Sequence, residues 1–298
     1  MKNSPFRVVL LFFLFYSCSV KEDLPEIDKE VLTWGRNPGL RIKTLHETDI
    51  TGEGVHIAFI GSSVFQNHKE YAGRLIFHTG DTVQAQHNSA VETAHAGILA
   101  GETCGIAPSA VLHIWEDSGE DIIEEITAYN KEKLFDDRIK IIVFPDLRDP
   151  GVAANIAEQA GILVVWKGDN ILGVNCGLLE DRESYLSYRI SGKKPEEKRQ
   201  ISGSILVPLG NRTVPCCDGP EEYTFLSREK AEMALSFYAG VAALGFQAAP
   251  EISPSELRRM IYKTGIPLYG GRIINPSDLI KALQEDSSRT RGSDKNPL

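Results

Sequence analysis

Three sets of residues in this chain have the types and spacing that chemistry needs. The first is Glu232, an acid near the start of Ser227 to Phe246, SREKAEMALSFYAGVAALGF. From Ala231 onward only Glu232, Ser236 and Tyr238 in that run carry polar groups. The second is His87, Glu92 and His95, an H-x4-E-x2-H cluster of acid–base and metal-ligand types. Its spacing matches no established zinc signature, so neither a metal nor a cofactor is expected there. The third is Cys104, Cys176, Cys216 and Cys217. Adjacent Cys216 and Cys217 cannot easily supply two well-placed tetrahedral ligands, which leaves disulfides, in any of three connectivities, or free thiols. Asn211-Arg212-Thr213 has the form of a glycosylation sequon, for which chance is the default.

These residues need elements to position them. A helix that is apolar on every face must be buried all round, so 231–246 is expected to be the central helix of a domain. Gly240 would let a neighbouring element approach it closely. An acid in its first turn complements the helix dipole, and Arg228 stands four residues before Glu232. Runs rich in β-branched residues predict buried strands at Val55–Ile60, Ala110–Trp115, Ile139–Phe144, Ile162–Trp166 and Ser204–Leu209. Ile122, Ile126 and Tyr129 are at helical spacing within Asp121 to Leu134. Val152, Ile156 and Ala160 stripe a second helix with Gly161 at its C-cap. Ser253 to Glu256 is a capping box with Pro254 at the first position, predicting a final helix over Ser255–Lys263 closed by Gly265. Strands alternating with helices predict an α/β fold: a mostly parallel sheet with helices on both faces. Residues 171–202 lack periodicity, and their KKPEEKRQ run reads as a solvated loop.

The net charge of −9 argues against nucleic acid, which asks for a basic face. Lys2 and Arg7 precede an apolar run, Val8 to Tyr16, too short for a membrane span, the pattern of a signal peptide. Ser17 directly before Cys18 resembles the lipobox of bacterial lipoproteins, although Phe15 and Tyr16 depart from its commonest form. That resemblance implies cleavage before Cys18 and lipidation of it. Lys21-Glu22-Asp23 is similar to the acidic export signals of some Gram-negative surface lipoproteins. The expected organisation is a signal peptide over 1–17, a tether over 18–33, one domain over 34–284 and a polar, disordered tail over 285–298.

Five segments, in order, resemble the peptidase S8, or subtilisin-like, family. GEGVHIAFIGSSV (52–64) is similar to the family's aspartate strand, and NHKEYAGRL (67–75) to the stretch after it. AVETAHAGILAG (90–101) with GIAPSAVL (105–112) is similar to its histidine segment. GILVVWKGDN (161–170) resembles the segment ending in the oxyanion asparagine, and KAEMALSFYAGVAAL (230–244) the serine segment. GGRIINPSDLIKAL also resembles the family's closing segment. The resemblance implies a three-layer subtilisin-like fold over roughly residues 34 to 284. The chemical positions differ: Gly61 stands for the aspartate, Val91 for the histidine and Glu232 for the serine. Asn170 alone keeps the family's residue, at the oxyanion position, after Asp169.

A serine nucleophile needs a base, and the base needs a carboxylate to orient it. Gly61 and Val91 can neither ionise nor accept a proton, and losing the whole unit leaves only binding and oxyanion effects. A carboxylate at 232 is a poor acyl acceptor and would repel an oxyanion held by Asn170. The expectation is a non-catalytic lipoprotein in the bacterial envelope, at the outer membrane or cell surface, that binds a protein or peptide partner. The retained groove would offer edge-strand pairing, but Pro145 and Pro150 in FPDLRDP (144–150) remove donors from it. The alternative is an active serine-type endopeptidase, or other hydrolase, with a re-sited catalytic centre.

Overall fold

A computed structural model describes residues 29–71, 73–78, 89–116, 121–147, 149, 151–190, 201–227 and 231–293. The signal-peptide and Cys18 readings, His87, Pro150, Arg228 and the charged run at 193–200 lie outside the described residues. In chain order the elements begin with α1 (Lys29–Gly35), α2 (Ile42–His46), β1 (His56–Ile60), β2 (Leu75–His78), α3 (Ala90–Ala100) and β3 (Val111–Trp115). They continue with α4 (Ile122–Lys131), β4 (Ile139–Phe144), α5 (Gly151–Gln159), β5 (Leu163–Trp166), β6 (Ile171–Cys176) and β7 (Tyr188–Arg189). The last are β8 (Ile205–Pro208), β9 (Arg212–Pro215), β10 (Tyr223–Leu226), α6 (Met233–Ala248), α7 (Pro254–Thr264), β11 (Ile266–Leu268), β12 (Gly271–Ile273) and α8 (Pro276–Ser293).

The fold is α/β with a mostly parallel sheet. Five strands in the order β2-β3-β1-β4-β5 form the main sheet, and every pairing in it is parallel. Alternation along β1 sends Ile57 and Phe59 into a large core shared with α3 and α6, and Ala58 and Ile60 into a smaller one under α4 and α5. The sheet is therefore covered on both faces. A second five-stranded sheet has the order β11-β12-β8-β6-β7, and β9 pairs with β10.

Every residue of α6 from Met233 to Phe246 is buried, as its all-round apolarity predicts. Gly240 is where Ile106 crosses: a Cβ there would sit 2.5 Å from the Ile106 Cβ.

Several expectations are corrected. Ser204–Leu209 is a strand, β8, but it belongs to the second sheet. The fifth strand of the main sheet is β2, whose four residues LIFH are half exposed at an edge and whose apolar run of Leu75, Ile76 and Phe77 is short. Residues 171–190 are not a loop, because β6 and β7 lie there. The Val152/Ile156 stripe of α5 faces solvent, and the helix packs through the smaller Ala154 and Ala157. Helix α7 is not the last. Helix α8 follows and runs through the polar stretch from Glu285 to Ser293. At the other end α1 reaches into the expected tether and docks by Thr213 Oγ1 donating to Leu32 O (2.8 Å).

Candidate functional site

Gly61 directly follows β1, its N–H donating to Trp115 O at 3.1 Å. The side chain missing there has a neighbour from elsewhere: a Cβ on Gly61 would lie 3.2 Å from Glu92 Cγ. Glu92 is in the first turn of α3, where Ser89 is the N-cap, receives the Glu92 N–H (3.5 Å) and donates its hydroxyl to the Glu92 carboxylate. A carboxylate thus stands beside position 61, engaged in capping a helix. Val91 is half buried and packs against the large core.

Glu232 is the N-cap of α6, but it sits in helical geometry (φ −62°, ψ −30°), and its side chain makes no capping bond to the first turn. The carboxylate instead accepts from Lys167 Nζ at 3.3 Å, tying the β5–β6 turn to the start of α6. Its own backbone amide, and then Lys167, hold the carboxyl below its usual range. The ion pair of Glu232 is thus to a lysine far along the chain.

Asn170 is exposed, and its Oδ1 accepts the Ser204 hydroxyl at 2.5 Å while its carbonyl accepts Ile205 N–H at 2.9 Å. Its side-chain oxygen is thereby tied into the second sheet. Before it, Asp169 accepts from Trp166 N–H and from Arg258, which also reaches Glu158 at 2.6 Å. Burial raises the Asp169 carboxyl in spite of Arg258.

One helical turn inside these positions lies a pair that sequence reasoning did not single out. His95 Nδ1 and Ser236 Oγ are 2.8 Å apart, joining α3 to α6, with the Phe59 ring 5.5 Å from the imidazole. His95 follows Val91 by four residues, and Ser236 follows Glu232 by four. Both side chains are sealed, His95 at 2% exposure and Ser236 at 0%. A histidine at hydrogen-bond reach of a serine hydroxyl is the geometry of an activated nucleophile. A hydroxyl with no solvent access cannot meet a substrate carbonyl, so in this conformation the pair is a packing hydrogen bond. His95 and Glu92, both of metal-ligand type, are engaged with Ser236 and Ser89. Among the described residues no group of three His, Cys, Asp or Glu side chains is arranged to hold a metal ion.

The expected peptide-binding stretch after β4 is a turn, with Leu147 N–H donating to Phe144 O at 3.3 Å and Gly151 N–H to Asp149 Oδ1 at 2.9 Å. Strand β4 itself is interior to the sheet, so it has no free edge there. The four cysteines 104, 176, 216 and 217 are free thiols in this structure. Cys104 points at Glu70 and the Gly97 carbonyl (both 3.6 Å), Cys176 at Glu180 O (3.9 Å) and Cys216 at Asp218 (3.7 Å).

Two further clusters escaped the sequence reading. Glu70 is fully buried and accepts Thr103 N–H (2.7 Å), Thr103 Oγ1 (2.5 Å) and the Tyr223 hydroxyl. Burial alone would raise this carboxyl, but the bonds from Thr103 and Tyr223 outweigh it and hold it low. On the other face of the sheet, His56 Nδ1 meets His113 Nε2 at 2.8 Å, and His113 Nδ1 meets His78 Nε2 at 2.9 Å. His78 stacks on Trp115 at 3.7 Å, and Tyr129 of α4 stands edge-on to both. Burial lowers all three imidazoles, His113 to about 3, with Lys133 adding to the effect on His78 and His113. No sequence signal joins them, because they come from three strands made neighbours only by the sheet order. No protein-family model matches this chain, and no curated protein matches it.

Proposed function

We propose that this protein is a catalytically inactive relative of the subtilisin-like proteases that binds a protein or peptide partner in the bacterial envelope, held there by lipidated Cys18. The five ordered sequence blocks support the family, and an α/β domain with a covered parallel sheet is compatible with it. One observation carries the inactive reading. The residue at the serine position is a carboxylate paired with Lys167, with Gly61 and Val91 at the positions of acid and base. No proton can leave a nucleophile at 232, because no group at 91 can receive one. The turn at 144–147 and the interior place of β4 leave little of an extended-peptide edge, which favours a partner bound on another surface.

Incubating the mature chain with a peptide library tests this, and no cleavage above buffer is expected. Cleavage abolished by Ser236→Ala would instead support the second reading, a re-sited hydrolase using the His95–Ser236 pair. Metabolic lipid labelling lost in Cys18→Ala supports the anchor, and labelling that persists refutes it. Crosslinking on intact cells followed by mass spectrometry would identify the partner.

A further inference from the structure

Arg182 and Arg212 are among the largest fully buried side chains, at 2% and 1% exposure. Among the described residues neither forms an ion pair with a carboxylate. Each makes one hydrogen bond to a carbonyl: Arg182 Nη1 to Asn211 O at 2.7 Å, and Arg212 Nη2 to Cys104 O at 3.2 Å. Each lies near an aromatic face, Arg182 Cζ 4.7 Å from the Trp34 ring centre and Arg212 Cζ 5.3 Å from that of Phe237. Among the described residues, Arg182 Nε and Nη2, and Arg212 Nε and Nη1, have no hydrogen-bond partner. Burial first, and then the charge of Arg182, push Arg212 down to about 9, so it still carries its charge at neutral pH.

A buried cation without a counter-charge costs several kcal/mol even after relaxation, and two of like sign cost more. The nearby thiols do not supply the missing charge, because burial raises both Cys104 and Cys176 and keeps them protonated. Glu183, next to Arg182, is already bonded to Asn37 Nδ2 (2.8 Å) and to the Arg41 amide. Water would satisfy the N–H groups but not the charge. We propose that the unpartnered guanidinium N–H groups of Arg182 and Arg212 bind a small monovalent inorganic anion of halide size in the interior. The near-complete burial of both side chains selects for size: phosphate or sulfate would displace the packing that encloses them. The charge-assisted N–H donors of two guanidinium groups suit a spherical anion, which asks for no fixed donor geometry.

Bromide is the probe. Crystals of the mature chain grown in sodium bromide should show an anomalous peak within hydrogen-bond reach of Arg182 or Arg212. In solution the unfolding midpoint should rise by about 2–4 °C per tenfold increase in bromide above its dissociation constant, at ionic strength held constant with gluconate. Arg212→Gln should abolish that increment. If that variant does not fold, Arg212→Lys, which keeps the charge but loses the planar fork, should weaken the increment. An ordered water with no anomalous signal, or equal midpoints in bromide and gluconate, would overturn the proposal.

Discussion

His95 and Ser236 meet at 2.8 Å one helical turn past positions 91 and 232, at a depth no substrate reaches. The bond holds α3 against α6, so its loss should be felt as stability. Ser236→Ala should destabilise the fold by about 1–3 kcal/mol, the cost of removing a buried partner. Chemical denaturation reads this directly. A wild-type midpoint for Ser236→Ala would show that the pair contributes nothing to packing.

On the proposed reading, Glu232→Ser supplies the residue type of a nucleophile and is expected to give no hydrolysis. Gly61 and Val91 still supply neither acid nor base, and Lys167 loses only its ion pair. Assay with fluorogenic peptides should give the same background as the wild type. Measurable turnover from this one change would mean that another group serves as the base.

The histidine chain makes stability depend on pH. His56, His78 and His113 all have folded-state values below the ordinary 6.5, so between the two values the unfolded chain binds more protons. Stability from these groups is therefore complete above about pH 6.5 and falls as the pH drops toward 3. Tyr129 of α4 and, after that helix, Lys133 and Asp137 face the cluster, and only Asp137 favours the protonated form, through His56. His113→Gln should flatten the slope of the unfolding midpoint between pH 6.5 and 4.5. An unchanged slope would contradict the assignment. Glu70 acts lower on the scale: its depressed carboxyl gives stability that is present above about pH 4.5 and is lost as the pH falls through its folded value.

Gly240→Ala sets helix propensity against packing. Alanine gains about 1 kcal/mol in a helix interior. The new Cβ would meet Ile106 Cβ at 2.5 Å, which only a shift of α6 or of the Gly105–Ala107 turn relieves. Overpacking of this kind costs about 1–3 kcal/mol, so net destabilisation is expected in thermal unfolding. A rise in the midpoint would show that the approach is slack.

The frame of the domain was legible because its signals are local. Ile57, Ile141 and Val164 lie in β-branched runs, Ser253 caps its own helix, and α6 declares its burial by lacking a polar face. What was missed depends on partners far apart in the chain. LIFH at 75–78 becomes a strand only beside β3, and Val152 with Ile156 shows that an apolar stripe can face solvent when alanines pack better. At the candidate site, the identities of Gly61, Val91 and Glu232 were readable one residue at a time. Lys167 as the partner of Glu232, Glu92 beside Gly61 and Ser236 against His95 were not, because each joins segments that only the fold brings together.

The central claim, that no activated serine is present, is tested most directly with a serine-directed fluorophosphonate probe on the intact mature chain, read by protein mass. The account predicts no adduct at neutral pH, since the serine paired with histidine is sealed and position 232 holds a carboxylate. Stoichiometric labelling of one serine, and above all of Ser236, would contradict it.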